Sequence, residues 1–255
     1  MVAVSADDGP GGPGERAAVP GVRARARAEL TRAIVETARR HLAQEGPAAL
    51  SLRAVARELG MVSSAVYRYV ASRDDLLTLL IIDAYDALGA AVEKAEARVP
   101  REDLADRFLA IGRGVRTWAL AHPHEYALIY GSPVPGYAAP QDTIGPATRV
   151  PALLVTILVD AVRSGVHDPA TARAVPAPVH RSLAPLRSVV PDDVPDGLLV
   201  NGLVAWTYVF GAVSFELFGQ RQNVVAGAAS LREAFFTEEL RRVAALVVPV
   251  AAPGA

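Results

Sequence analysis

Arg53, Ser63, Ser64, Ala65, Tyr67, Arg68, Tyr69 and Arg73 crowd into one short stretch of the chain. Their types suit duplex nucleic acid. A guanidinium can span O6 and N7 of guanine, Ser and Tyr hydroxyls can bond phosphates or base edges, and a helix N-terminus favours an anion. Ser63, Ser64, Tyr67 and Arg68 fall on one side of a short helix whose other side carries Val66 and Val70. Arg53 and Arg73 would flank it on the phosphate side. The plainer alternative is a helical corner with solvated polar side chains. Other chemistry finds less support. His122 and His124, beside Pro123 and Glu125, stand two apart, so they share no helix face, and no further donor pair has ligand spacing. His41, His167 and His180 are isolated, and no nucleophile-elbow sequence such as Gly-x-Ser-x-Gly occurs. The sequence implies no catalytic set, no metal and no cofactor.

The elements that must hold this set are helical. Leu30, Ile34, Ala38 and Leu42 lay one stripe along a helix over about 27–45, stopped by Glu45-Gly46-Pro47. Ser51 stands where it can cap a second helix carrying Leu52, Val55, Ala56 and Leu59 and ended by Gly60. Ser63 or Ser64 can cap a third, running to about Val70. Two short helices around a glycine turn have the layout of a helix-turn-helix. Ser72-Arg73-Asp74-Asp75 is a capping-box pattern before a long apolar helix from Leu76 to beyond Val92. Further helices are expected at 101–121, at 126–130 after the break at His122-Pro123, across Leu153–Val162, and at about 196–219 and 228–247. Residues 132–146 read as a loop, and six prolines between 169 and 195 exclude a long helix there. No strand alternation persists, so the fold class is all-α. Residues 1–22 read as a disordered Gly- and Pro-rich tail, 23–87 as a helix-turn-helix domain, 88–248 as a larger helical domain and 249–255 as a tail.

Charge follows the same division. The 255 residues carry 26 basic and 27 acidic side chains, a formal charge of -1. Residues 20–80 hold ten Arg against six acids, so +4, and the balance lies in the acidic remainder. One basic end on a neutral chain suits a protein that meets a polyanion at that end. Arg23, Arg25 and Arg27, just before the expected first helix, could reach a minor groove or adjacent phosphates. With no cysteine a disulfide scaffold or cysteine hydrolase is excluded. The absence of a basic-then-apolar leader points to the cytoplasm.

Residues 28–87 resemble the DNA-binding domain of the TetR family of transcriptional regulators. The likeness rests on Leu50-Ser51-Leu52-Arg53-Ala54-Val55-Ala56, Leu59-Gly60-Met61-Val62-Ser63, Val66-Tyr67-Arg68-Tyr69 and Ser72-Arg73-Asp74-Asp75-Leu76-Leu77, in that order and without a gap. By this resemblance Tyr67, Ser63, Arg53 and Arg73 contact phosphate or groove, and Ser64, Ala65 and Arg68 read bases. Tyr67-Arg68-Tyr69-Val70 stands where the family usually ends Tyr-Tyr-His-Phe, which leaves the operator sequence open. Trp206 to Gly219 resembles the C-terminal domain of a subgroup named for a Trp-His-Gly signature, with Phe210 in place of His.

The resemblance implies a homodimer that binds double-stranded operator DNA and a small-molecule effector, and that acts as a repressor. Trp118, Tyr126, Tyr130, Trp206 and Phe210 are the aromatic candidates for the effector pocket, although core packing would explain each. The uncharged run Leu198–Phe215 touches the lower limit of a membrane span. Asn201, the missing basic flank and the small residues Gly202, Ala205, Ala212 and Gly219 favour a buried dimer helix over a membrane contact. The rival reading is an all-α ligand-binding or enzymatic protein whose helix-turn-helix is only structural.

Overall fold

The computed structural model describes residues 21–167, 174–225 and 227–248, and among these every regular element is helical. The elements are α1 (Val22–Glu45), α2 (Leu52–Glu58), α3 (Ser63–Val66), α4 (Arg73–Glu96), α5 (Leu104–Ala121) and α6 (Pro123–Tyr130), then α7 (Ile144–Arg163), α8 (Ala177–Ser182), α9 (Ala184–Arg187), α10 (Asp196–Leu217) and α11 (Ala229–Val247). The tails expected at 1–22 and 249–255 lie outside the described residues, except that Gly21 and Val22 belong to the start of α1.

Two cores organise the chain. In the first, Ile34, Ala38 and Leu42 of α1 meet Val55 and Ala56 of α2, Val66 of α3 and Leu76, Leu77, Leu80 and Ile81 of α4. In the second, Ala84, Leu88 and Val92 of α4 meet the inner faces of α5, α7, α10 and α11. Each fully buried aliphatic or aromatic side chain contributes about 1.5–3 kcal/mol relative to exposure. The long helix α4 therefore takes part in both cores, and its N-terminus is fixed by the Ser72 hydroxyl, which accepts a hydrogen bond from the Asp75 backbone N–H at 3.0 Å. Ser51 also stands at an N-cap position, but its side chain makes no such bond.

Three of the boundaries that differ from the sequence expectation have a clear physical reason. α1 begins at Val22 rather than near residue 27, because Arg and Ala favour helix even where no apolar face is buried. α3 ends at Val66, after which Arg68 and Tyr69 bond to Ala65 and Val66 three residues back, so the path to Val70 continues as a tighter turn. α7 begins at Ile144, inside the expected loop of 132–146, and runs through Pro151, ahead of the expected start at Leu153. The apolar face of Val150, Leu154, Ile157, Leu158 and Ala161 outweighs the one backbone bond that proline cannot make.

A buried ionic cluster ties α4, α5 and α7 together. Arg107, 3% exposed, donates to Glu96 at 2.6 Å, to Asp160 at 2.7 Å and to the Arg101 carbonyl at 3.1 Å. Burial alone would raise the Asp160 carboxyl, but hydrogen bonds from Arg107 and Arg101 outweigh it and hold the pKa below its ordinary value. A depressed carboxylate contributes stability above its unfolded pKa, about 3.9, and loses it as pH falls through the folded value. Asp160→Asn is expected to lower unfolding free energy by about 2 kcal/mol at pH 7, less than a fully orphaned buried charge because Glu96 still faces Arg107. In urea titrations the difference from wild type should shrink below about pH 4.

Candidate nucleic-acid interface

The turn between α2 and α3 is built by one glycine. Gly60 has φ of 65°, a left-handed conformation that side chains other than glycine adopt at a cost. With it there, the Met61 N–H reaches the Ala56 carbonyl at 2.9 Å and the Gly60 N–H the Arg57 carbonyl at 3.2 Å. That pair of bonds closes the end of α2 and redirects the chain into α3.

Below the turn, Val66 and Val70 are buried. Above it, Ser64, Tyr67 and Arg68 are exposed, Ser63 and Ala65 are half-buried, and Arg53 is exposed on α2. Tyr67 is 45% exposed, a large ring left in solvent at the centre of a polar face. Two of the sequence candidates are engaged within the chain. Arg73 donates to the Pro47 carbonyl at 2.8 Å and lies 3.6 Å from Asp74. Tyr69 is half-buried, with the Arg27 guanidinium 5.2 Å above its ring.

Arg27 also donates to the Arg68 carbonyl at 3.2 Å, so a residue of α1 braces the end of α3. The basic composition marked Arg27 as a DNA candidate, but nothing in its spacing indicated this contact across 41 residues. The α1–α2 seam is ionic as well. Glu58 accepts from Arg40 at 2.7 Å and pairs with His41 at 2.5 Å, contacts that hold its carboxyl below the ordinary range.

Further along α4, Arg149 of α7 donates to Glu93 at 2.8 and 2.7 Å and to the Asp86 carboxylate at 2.8 Å. Gly89 lies between those two acids, and a Cβ there would sit 2.6 Å from the Arg149 Nε, so the glycine makes room for the arginine to lie across the helix. The Glu93 hydrogen bonds raise the arginine's pKa, keeping the clamp charged.

Four of the five aromatic candidates form a connected group. Tyr130 packs 5.1 Å from Tyr126 and 4.4 Å from Phe210, and Trp206 lies 6.2 Å from Phe210. Trp118 stacks instead on His122 at 4.9 Å, and that histidine's Nδ1 lies 3.0 Å from the Trp118 carbonyl. Tyr126 is fully buried, its hydroxyl donating to the Phe210 carbonyl at 3.0 Å and lying 2.9 Å from Ser214. Burial pushes its pKa up to about 12, and also raises Tyr130, so both phenols stay neutral at physiological pH. A small cavity of about 140 Å³ lies nearby, walled by Pro151, Leu154, Val155 and Leu158 of α7, Leu186 of α9 and Leu199, Gly202, Leu203 and Trp206 of α10. Of the aromatic candidates, Trp206 borders it and the other four do not. The aliphatic walls went unnoticed in the sequence because leucine and valine at helical spacing look the same in a core and around a cavity.

α10 and α11 turn an apolar face outward. Leu203, Val204, Phe215 and Phe218 are 40%, 50%, 55% and 42% exposed, and Leu231, Phe235 and Leu246 are exposed beside them. Two segments, Gln141–Arg163 and Asp196–Leu217, are long and apolar enough to cross a membrane, and both pack one face into the second core. No cluster of three or more metal-ligating side chains occurs among the described residues.

Two sequence profiles match the chain, one described as bacterial regulatory proteins of the tetR family over residues 34–80 and one as a tetracyclin repressor-like C-terminal domain over 108–243. The chain is 45% identical over 204 residues to the HTH-type transcriptional regulator Rv1816 of Mycobacterium tuberculosis (strain ATCC 25618 / H37Rv), covering 78% of this chain and 86% of the relative. The HTH-type transcriptional regulator Mb1846 of Mycobacterium bovis matches to the same extent. Among solved structures, SCO4313, described as a regulatory protein, superposes with a TM-score of 0.68 at 33% identity, over 85% of this chain and 97% of that one. A Rhodococcus sp. RHA1 protein of unknown function shares the fold, with a TM-score of 0.60 at 24% identity over 84% of this chain and 94% of its own.

Gly60→Ala isolates the turn. No atom lies within 4 Å of where its Cβ would stand, so the cost is the left-handed backbone alone, about 1–2 kcal/mol. The expected outcome is a lower denaturation midpoint for the first domain, with the secondary-structure content of the folded protein unchanged by circular dichroism.

Proposed function

Because the chain belongs to the tetR family of bacterial regulatory proteins, we propose that α3 is the helix with which it reads duplex operator DNA and that residues 88–248 carry the effector site and the dimer interface. The protein is a DNA-binding transcriptional regulator. The observation that carries the assignment of α3 is its division into two faces. Val66 and Val70 are buried while Ser64, Tyr67 and Arg68 stand in solvent, with Arg53 exposed on α2. Such a face offers hydroxyl and guanidinium groups at the depth of a major groove, and its N-terminal end presents free backbone N–H groups. Arg73 and Tyr69 then act mainly by holding that face in place, through the Pro47 carbonyl and the Arg27 guanidinium.

Dimerisation through α10 and α11 accounts for the exposed Leu203, Val204, Phe215 and Phe218, which would be costly as a permanently solvated surface. Two copies related by a two-fold axis would present two α3 helices to successive major grooves about 34–36 Å apart, so the operator is a near-palindrome. The aliphatic walls at Leu154, Leu158 and Leu199 suit a small apolar effector. Its binding would favour a different seat for α7 against α4, and the altered separation of the two α3 helices would release the operator, as expected of a repressor. A regulator of this kind works in the cytoplasm, where its DNA is.

The test is a salt series of binding to the intergenic DNA beside the protein's own gene, against a scrambled duplex of equal length. Preference for the native fragment by about a thousandfold, weakening steeply with salt, is the expected result. The double variant Tyr67→Phe with Arg68→Ala should lose about 1–3 kcal/mol of that binding while keeping wild-type melting and oligomeric state. Undiminished binding by the double variant would move the reading surface away from α3.

A further inference from the structure

We propose that the first two turns of α1 form a second DNA-contacting element, a helical rail for the phosphates beside the half-site read by α3, with Arg23 as its contact. The proposal rests on the assignment of α3 as the recognition helix.

Residues 21–29 are all exposed, and Val22 is 83% exposed, so this end of α1 projects from the domain without packing on it. Among the described residues its one side-chain tie to another element is Arg27, which reaches the Arg68 carbonyl and the Tyr69 ring at the end of α3. That contact fixes the helix beside the recognition element. At 100° per residue, Arg23 lies on the same face as Arg27, one turn and about 6 Å further out. Deeper in the domain this face carries Leu30 and Ile34, so it overhangs whatever α3 lies in.

Arg25 points the opposite way, on a face it shares with Glu29 and Arg32, where an acid offsets part of the charge. The Arg23 and Arg27 face holds no acid over the same turns. Neither Arg23 nor Arg25 makes an ion pair among the described residues.

The helical state decides which part of DNA is touched. An extended basic arm fits a minor groove about 6 Å wide, whereas a helix with side chains is about 10–12 Å across and does not enter it. A helix alongside the duplex meets the backbone, and a guanidinium there binds a phosphate without reading sequence. The element therefore adds affinity and fixes the tilt of α3 in its groove, while base choice stays with Ser64, Ala65 and Arg68.

The experiment compares Arg23→Ala, Arg25→Ala and Arg23→Lys in the full-length protein. The probes are a duplex recovered by selection from fragmented genomic DNA and a random duplex of equal length, each across a salt series. Arg23→Ala should weaken binding to both duplexes several-fold and reduce the slope of log affinity against log salt by about one, the loss of one phosphate contact. Arg23→Lys should restore the slope, and Arg25→Ala should change it by less than half as much as Arg23→Ala. Melting temperatures should equal wild type, since the residues pack on nothing. Equal effects of Arg23→Ala and Arg25→Ala would overturn the rail in favour of an extended arm, and no effect of either would remove the contact altogether. Arg68→Ala run in parallel separates the two readings. If it weakens binding while Arg23→Ala is silent, only the rail fails, and if wild type binds no duplex, both fail.

Discussion

Helix α4 is shared between two cores, and most of the architecture follows from that. Leu76, Leu77, Leu80 and Ile81 anchor its first half among α1, α2 and α3, while Ala84, Leu88 and Val92 anchor its second half among α5, α7, α10 and α11. A helix buried at both ends cannot rotate about its axis in one domain without disturbing the other, because close-packed cores resist small shifts. The polar contacts reinforce this. Ser72 caps its start, Arg149 clamps its later turns through Asp86 and Glu93, and Glu96 at its end accepts from the buried Arg107.

The two halves of the chain hold together by different chemistry. The first domain is small and depends on short apolar contacts plus a rim of ion pairs, among them Arg39 with Asp83 and Arg40 with Glu58. These exposed pairs carry little stability individually and serve more to orient α1 against α2 and α4. The second domain has a much larger core, yet it leaves the outer faces of α10 and α11 apolar and open. Its buried polar groups are satisfied where α5, α6 and α10 meet. Arg116 holds Glu216 with two bonds of 2.7 Å, and Tyr126 is bonded to Phe210 and Ser214. His167 is the exception among the described residues, with both ring nitrogens buried and without a partner.

Much of the fold was legible in the sequence because local signals agreed. Gly46-Pro47, Gly60 and Ser72 punctuate helices whose apolar spacing is regular, and the structure places boundaries near each of them. The two faces of α3 were legible for the same reason, since a four-residue period separates Val66 and Val70 from Ser64, Tyr67 and Arg68, whereas Ser63 proves half-buried. What escaped was set by long-range contact or by weak local cost. Arg27 gave no hint of its partner at Arg68, and Arg149 lies between the expected loop of 132–146 and the helix expected from Leu153, so its place on α7 was not foreseen. The alternating Arg and Ala of 23–28 form helix without burying an apolar face, so no apolar stripe marks the start of α1. The second-domain aromatics could be ranked by type but not by position, because the rotation of α6 and α10 about their axes is fixed only by packing.

The clamp at Gly89 has a geometric consequence. From Gly89 back to Ser72 is 17 residues, about 25 Å of helix at 1.5 Å per residue. With the pivot at the Arg149 contact, a tilt of only about 8° carries the first turn of α4 through about 3.4 Å, the spacing of one base pair along a strand. A displacement of about 1 Å in the last turns of α4, about 7 Å beyond that pivot, corresponds to the same tilt, so a small movement in the second core reaches the first as a larger one.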